Sequence, residues 1–300
     1  MANQNRRDFL KTTGIVCGGL LGIENSKVEA APQKIISDDR MGVLVDTTLC
    51  IGCRRCEYAC KNAHDIEAGP IEKYDDRSVF DNLRRPEANA LTVVNEFENE
   101  KKVDEPVNVK VQCMHCDHPA CLSACIVGAF SKQENGSVIW DSDKCIGCRY
   151  CMIACPFQVP AFEYDKAIQP EIRKCDFCFE RTKEGGIPAC VEICPMETLI
   201  YGKRYELVKL AHERIEKNPD RYINHVYGEK EVGGTSWMYL APKEFEALAF
   251  PVLKETPAPG ASESLQHAIF KYFIPPISLF ALLGGIMWLG KKSEETETGE

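Results

Sequence analysis

The chain has 300 residues, a length that allows one or two domains. Its formal net charge at pH 7 is −9, and this acidic balance argues against a nucleic-acid partner. Cysteine is the compositional outlier, with 17 residues, and the spacing of these cysteines carries most of the information in the sequence.

Residues 1–31 have the pattern of a twin-arginine export signal. The paired Arg6 and Arg7 precede a mildly apolar run over residues 14–23, which is too short to span a bilayer. The alternative is a basic N-terminus that stays in the cytoplasm. We favour the signal, because this route carries folded proteins with their cofactors in place. Cys17 lies in this segment, so cleavage would leave sixteen cysteines.

Four cysteine quartets follow, and the first reads C-x2-C-x2-C-x3-C. The third has the same spacing and is followed by Pro156, as in bacterial two-cluster ferredoxins, where three thiolates hold one [4Fe–4S] cube and the fourth reaches a neighbouring cube. The second quartet has one gap wider by two residues, and eleven residues divide the second and third cysteines of the fourth. The quartets are Cys50, Cys53, Cys56 and Cys60; Cys113, Cys116, Cys121 and Cys125; Cys145, Cys148, Cys151 and Cys155; and Cys175, Cys178, Cys190 and Cys194.

Sixteen thiolates suffice for four [4Fe–4S] clusters with one ligand per iron. Structural zinc uses two C-x2-C pairs or Cys/His sets per ion and has no use for the other cysteines of each quartet. Disulfides are the default for an exported, cysteine-rich chain, but runs this closely spaced would form strained local bridges. Replacement of one cube by another cluster type stays open. The sequence therefore predicts iron bound through these sixteen cysteines in four [4Fe–4S] clusters.

Short strands lead into the quartets and indicate an internal duplication. Residues 43–46 read as a strand before the first quartet, and residues 137–140 repeat the arrangement before the third. An insertion over residues 61–112 contains the alternating segment 107–111, which predicts a hairpin with an upstream apolar run. The predicted fold class is α+β: a duplicated bacterial two-[4Fe–4S] ferredoxin-like domain with long loops over residues 40–202, plus one C-terminal transmembrane helix.

Side chains near the quartets have two interpretations each. His115 and His118 lie inside the second quartet, but that quartet is complete without them, so we predict that they pack in the loop. Aromatic residues are expected to shield the clusters from water, which also tunes their potentials. Basic residues beside the loops would offset cluster charge, although ordinary solvated charges explain half of them as well. The aromatic residues are Phe130, Trp140, Tyr150, Phe157 and Phe162, and the basic residues are Arg54, Arg55, Lys144, Arg149, Arg173 and Lys174.

The chain changes character after the last quartet. Residues 203–218 place apolar side chains on one helical face and end before Pro219, which predicts an amphipathic helix. This helix opens a C-terminal extension over residues 203–267, whose second part is rich in proline, glycine and charge. Docking against a partner and covering the surface explain this second part, residues 219–266, equally well.

Residues 268–290 are predicted to form a transmembrane helix, since the 19 residues from 272 to 290 carry no charge. The tail over residues 291–300 begins with two lysines and therefore belongs in the cytoplasm. A small-residue face on the helix would allow packing against another membrane helix, and a plain lipid anchor is the alternative. The cluster domain is then expected on the periplasmic side of the inner membrane.

With these motifs, residues 40–202 resemble the four-cluster iron–sulfur subunits of membrane-associated molybdopterin oxidoreductases and some nickel–iron hydrogenases. The export signal, the C-terminal helix, the Tyr227-Gly-Glu-Lys-Glu stretch and the lead-in over residues 262–267 are most similar to the hydrogenase-2 type. The resemblance implies an electron relay between the hydrogenase small and large subunits and a multi-pass, quinone-reactive membrane subunit. The alternative is a formate dehydrogenase beta-type or DMSO reductase B-like subunit, although such subunits usually travel without a signal of their own.

The resemblance also implies how the cysteines pair. It implies that the fourth cysteine of each quartet crosses to a cluster held by another quartet. Cluster 1 would have Cys50, Cys53, Cys56 and Cys194; cluster 2, Cys60, Cys175, Cys178 and Cys190; cluster 3, Cys113, Cys116, Cys121 and Cys155; and cluster 4, Cys125, Cys145, Cys148 and Cys151.

Two other functional classes compete with an electron conduit. An enzyme that binds substrate at a cube needs a cube with a missing ligand, and no quartet lacks one. An iron–sulfur sensor is hard to reconcile with an exported, anchored chain that holds four clusters. We therefore expect a non-catalytic subunit with no catalytic residues of its own.

Overall fold

The computed structural model describes residues 40–99, 105–260 and 279–287. The chain divides into two units, one over residues 33–263 and one formed by the two ends of the chain. All sixteen quartet cysteines belong to the first unit. The predicted export signal and the predicted cytoplasmic tail lie outside the described residues.

Short strands and helices joined by long loops make up the cysteine-containing unit, because the chain must wrap round each quartet. Its strands are β1 Met41–Asp46, β2 Val93–Phe97, β3 Val107–Val111, β4 Phe130–Lys132, β5 Val138–Trp140, β6 Ala161–Phe162, β7 Ile172–Arg173, β8 Leu199–Lys203 and β9 Trp237–Leu240. Its helices are α1 Arg55–Ala63, α2 Ala120–Ser123, α3 Tyr150–Ala154, α4 Phe179–Lys183, α5 Ala189–Glu192 and α6 Arg204–Lys217. Short 3-10 turns lie at Ile71–Asp75, Ser78–Asp81, Ser142–Lys144, Glu231–Gly233 and Phe245–Leu248.

The central sheet has the order β8-β1-β9, with β1 antiparallel to β8 and parallel to β9. The strand predicted before the first quartet is confirmed as β1, and its Val43, Leu44 and Val45 are at most 1% exposed. β9 comes from the C-terminal extension, and all four of its side chains are fully buried. This part of the extension therefore completes the core, a role that the sequence did not suggest.

Helix α6 confirms the amphipathic helix predicted over residues 203–218. Its Leu207, Ala211 and Ile215 recur every four residues, so they share one face, and all three are buried. They pack in one apolar cluster with Leu44 of β1 and Met238 of β9. The helix thus covers one side of the central sheet.

The insertion folds into the predicted hairpin, with β2 paired antiparallel to β3 from Val93 opposite Val111 to Phe97 opposite Val107. The predicted second strand is confirmed at 107–111, whereas the first, at 93–97, overlaps only the last two residues of the upstream apolar run, which covers 91–94. The smaller hairpins β4–β5 and β6–β7 accompany the second and third quartets. The strand predicted before the third quartet is confirmed as β5.

Residues 279–287 are helical, and apolar side chains such as Phe280 and Met287 are 81% and 75% exposed. Within the described ranges, no helix reaches the length and apolarity that a bilayer crossing requires. The remainder of the predicted membrane helix, over 268–278 and 288–290, lies outside those ranges.

Candidate metal centres

The four quartet loops share one backbone feature. In each loop, the residue two positions after the first cysteine has a positive φ. Glycine adopts this left-handed conformation freely, whereas other residues pay roughly 1–2 kcal/mol, so two of the loops are strained. The residues are Gly52 (φ 68°), His115 (φ 50°), Gly147 (φ 69°) and Phe177 (φ 68°).

This turn directs backbone N–H groups at the cysteine sulfurs. The N–H groups of Gly147 and Phe177 each lie 3.4 Å from a sulfur, that of Cys145 and that of Cys175. A donor close to a sulfur favours the thiolate over the thiol and tunes a bound cluster. In the strained loop of the fourth quartet, the turn at Phe177 therefore serves ligand chemistry.

Helix packing brings the quartets together in two pairs. Helix α1, which carries Cys60, packs against α5, which carries Cys190. Helix α2, with Cys121, packs against α3, with Cys151. The first quartet thus meets the fourth, and the second meets the third.

The sulfurs collect in four groups, which we number 1 to 4. Each group combines cysteines from two quartets. The group 1 cysteines line one cavity. In the other groups, burial and then neighbouring thiols of the same group raise the pKa of Cys116, Cys151, Cys175 and Cys178, and Cys190 interacts electrostatically with Cys60. Group 1 is Cys50, Cys53, Cys56 and Cys194; group 2 is Cys60, Cys175, Cys178 and Cys190; group 3 is Cys113, Cys116, Cys121 and Cys155; and group 4 is Cys125, Cys145, Cys148 and Cys151.

The groups follow one another in a row. Cys56 of group 1 interacts electrostatically with Cys190 of group 2. Cys175 of group 2 does so with Cys113 of group 3, and Cys121 of group 3 with Cys151 of group 4. Groups 1 and 4 are the two ends of the row.

Burial makes these thiols hard to ionise on their own. It raises the pKa of Cys50, Cys151 and Cys178 to about 11 each, and that of Cys121 to about 12. Iron binds the thiolate, so metal binding must displace these protons.

Buried lysines lie between the sulfur groups. Lys174 is close to Cys113, Cys121 and Cys175, and its ammonium donates to the carbonyl oxygens of Val138 and Cys175. Burial alone would lower the pKa of Lys174, but the nearby thiols more than offset this and raise it.

Two further lysines lie beside the sulfurs and were not predicted: Lys110, which is buried, and Lys132, which is half-buried. Lys110 alternates with valines in β3, which is usually a sign of a solvated face, but here that face is buried. Of the predicted basic residues, Arg54 and Lys174 are buried, Arg173 is half-buried, and Arg55, Lys144 and Arg149 are exposed. The solvated-charge interpretation therefore fits the last three.

The predicted aromatic residues and histidines also differ in how deeply they are buried. Phe130 and Phe157 are buried, and Trp140 and Phe162 are half-buried, whereas Tyr150 is 57% exposed and does not shield a cluster site from water. His115 is fully buried and His118 is half-buried.

His64 connects the end of α1 to the loop of the fourth quartet. The position of His64 in the sequence did not predict this contact. Its Nε2 lies 2.7 Å from Asp176 Oδ1 and its Nδ1 lies 3.8 Å from the sulfur of Cys60. Burial lowers the pKa of this imidazole, but the hydrogen bonds to Asp176 and Cys60 outweigh burial and raise it to about 11.

Some buried polar atoms near the sulfur groups have no hydrogen-bond partner among the described residues. These atoms show whether the surroundings of the sulfurs fit an iron–sulfur cluster. The Thr198 hydroxyl has none, and this residue lines the cavity of group 1. His115 Nδ1 accepts a hydrogen bond from the Val138 N–H, which places the proton of the neutral ring on Nε2, and Nε2 has no protein acceptor. Cluster sulfur is an acceptor for such donors, so the surroundings fit iron–sulfur clusters.

Comparison with known families gives two matches, both to the 4Fe-4S dicluster domain. One match covers residues 49–129 and the other residues 107–204. Together they span all four quartets.

Named relatives extend the match beyond the quartets. The hydrogenase-2 operon protein HybA of Escherichia coli O157:H7 is 32% identical over 329 aligned positions, which cover 99% of this chain and 98% of HybA. The iron-sulfur subunit of the nitrate-inducible formate dehydrogenase of Escherichia coli (strain K12) is 34% identical over 235, which cover 76% of this chain and 77% of that subunit. A protein of Nitratidesulfovibrio vulgaris is 54% identical over 209, and the match spans 70% of this chain and 56% of that protein.

The repeated cysteine turns, the four sulfur groups and these matches lead to one assignment. Each dicluster domain accounts for two [4Fe–4S] clusters, and the sixteen cysteines supply one ligand per iron for four. The chain belongs to the 4Fe-4S dicluster family of iron–sulfur electron-transfer subunits that includes HybA and the formate dehydrogenase iron-sulfur subunits, and it carries four [4Fe–4S] clusters.

Proposed function

We propose that this chain is a non-catalytic subunit that relays electrons between a periplasmic nickel–iron hydrogenase and a quinone-reactive integral membrane subunit. The observation that supports this most directly is the row of four sulfur groups, in which each group neighbours the next. A row of redox centres has two ends, one for each partner.

Both ends of the row reach the protein surface. Cys148 of group 4 is exposed, and the adjacent Ile146 is 62% exposed. At group 1, Ile51 beside Cys50 is 51% exposed. Partners that dock at these two places would come close to the terminal sulfur groups.

Each sulfur group is proposed to hold one cube, so the proposed ligand sets are the four groups as numbered above. The clusters, when bound, supply one-electron transfer. The chain's own residues set the spacing of the groups, donate N–H groups to the sulfurs and exclude water. No step in this proposal needs a nucleophile or a general base.

The membrane anchor and the export signal remain proposals. The absence of charge from 272 to 290 and the apolar side chains exposed on the helix over 279–287 support an anchor. The paired arginines near the N-terminus support export to the periplasm. Together they would hold the cluster unit at the outer face of the inner membrane.

A hydrogenase is favoured as the partner because the match to HybA covers nearly the whole of both chains. The alternative is a formate dehydrogenase or another molybdopterin oxidoreductase. The slightly higher identity to the nitrate-inducible formate dehydrogenase subunit favours that alternative.

Metal analysis of the native complex decides between these partners. The full-length chain is purified from membranes in mild detergent with its natural partners. Nickel is expected to co-purify in stoichiometric amount, and the complex is expected to reduce a quinone analogue with H2. Molybdenum or tungsten in place of nickel would replace the hydrogenase proposal by the alternative. A chain that carries iron and neither partner metal would contradict both.

A further inference from the structure

Lys110 is a buried cation that has no carboxylate partner among the residues that the structure describes. It lies in β3 and is 3% exposed. Its ammonium donates a 2.8 Å hydrogen bond to Gln112 Oε1 and lies 4.4 Å from the centre of the Trp237 ring. Within the part of the chain that the structure describes, no carboxylate lies within ion-pair distance of it; its nearest titratable neighbours are three thiols and the Tyr239 hydroxyl.

The position of Lys110 connects two sulfur groups. The residue lines the cavity of group 1 and interacts electrostatically with Cys56 of that group. It also interacts electrostatically with Cys190 and Cys175 of group 2. The ammonium thus lies between groups 1 and 2.

An isolated ammonium inside a protein is costly unless opposite charge lies close by. The amide of Gln112 and the face of Trp237 offset a part of this cost. Among the described residues, the negative charge available to Lys110 is that of the neighbouring thiolates and of the clusters they would bind. We propose that Lys110 is the shared counter-charge of the clusters in groups 1 and 2 and raises the reduction potentials of both, an inference that rests on the proposed relay.

The direction of the effect follows from charge. Reduction adds an electron to a cluster that is already negative, and a positive charge nearby in a poorly screened interior favours the reduced form. Because Lys110 lies beside both groups, it shifts both potentials in the same direction. The reduction potentials of groups 1 and 2 are therefore raised relative to those of groups 3 and 4, whose thiols are not among the near neighbours of Lys110 in the described residues.

Lys132 provides a control, since it is a half-buried lysine beside sulfurs of another group. Its neighbours are Cys116 and Cys113 of group 3, and its ammonium lies 3.7 Å from Asp117 Oδ1. It also donates to the carbonyl oxygens of His115, Cys116 and Gly136. Its removal acts on another group and leaves Lys110 in place.

The test is a redox titration of the full-length, cluster-loaded chain followed by electron paramagnetic resonance. Wild type, Lys110→Met, Lys110→Arg and Lys132→Met are compared, with iron measured in each. In Lys110→Met, two of the four potentials are expected to become more negative while the other two stay unchanged. Lys110→Arg keeps the charge and should resemble wild type, and Lys132→Met should leave the potentials of groups 1 and 2 unchanged.

Three results would overturn the inference: unchanged potentials in Lys110→Met at full iron content, an equal shift in Lys110→Arg, or the same pair of clusters shifted in Lys132→Met. If Lys110→Met loads too little iron, Lys110→Gln is the second neutral variant. Iron loss in both neutral variants with retention in Lys110→Arg supports the counter-charge, whereas loss in all three variants contradicts it. A wild-type chain without clusters would instead refute the relay itself.

Discussion

Replacing Cys116 with alanine is expected to stop electron transfer from hydrogenase to quinone, down to the background of the assay. Cys116 belongs to group 3, which lies inside the row between groups 2 and 4. We expect the cube that lacks one of its four ligands to be lost, so iron should fall from about sixteen per chain to about twelve. Electron transfer weakens steeply with distance, so a gap inside the row cannot be bypassed.

Cys17→Ala is the matched control for this variant. Cys17 lies outside the quartets, in the predicted export signal, so its removal should leave both iron and activity at the wild-type level. Hydrogen-dependent quinone reduction is measured in membranes, and iron is measured in the purified chain. Full activity of Cys116→Ala at reduced iron content would show that group 3 is not part of the relay.

Glu57→Gln is expected to destabilise the chain by about 3–5 kcal/mol, the range for breaking a buried ion pair from one side. The Glu57 carboxylate is 4% exposed and accepts hydrogen bonds from Arg54 at 3.1 Å, from Arg84 at 2.6 Å and from the backbone N–H of Val94 at 2.7 Å. It thereby ties α1, which carries the last two cysteines of the first quartet, to the hairpin of the insertion. Without this charge, two arginines remain without their buried partner.

The measurement is anaerobic urea denaturation followed by the loss of cluster absorbance, with Glu67→Gln as control. Glu67 lies in the same insertion and is exposed, so its replacement should change the midpoint little. The midpoint for Glu57→Gln should fall well below that of the control. Equal midpoints for the two variants would mean that the insertion is not held through Glu57.

The sites were predictable from the sequence to the extent that their chemistry is local. A C-x2-C loop brings its cysteines together by chain connectivity alone, so the spacing identified each quartet and predicted the cofactor. The strand β3 and the helix α6 were predictable for the same reason, because their periodicity is a property of neighbouring residues. The bounds of its hairpin partner β2 were predictable only in part, because the register of a strand pair depends on both strands.

Features that depend on distant residues were not predictable. The alternation in β3 predicted a strand but not the surroundings of its two faces, and Lys110 is buried because its face meets the cluster loops. Glu57 reads as an ordinary acidic residue in the first turn of a helix, and only Arg84 and Val94 of the insertion make it a buried partner. Trp237 begins a strand that pairs with β1 across nearly two hundred residues, for which no local pattern exists.

The most direct test of this account is the iron and acid-labile sulfide content of the full-length chain, prepared without oxygen. Four [4Fe–4S] clusters on sixteen cysteines predict about sixteen iron atoms and about sixteen sulfides per chain. Zinc in place of iron, or disulfide-linked cysteines with little iron, would contradict it.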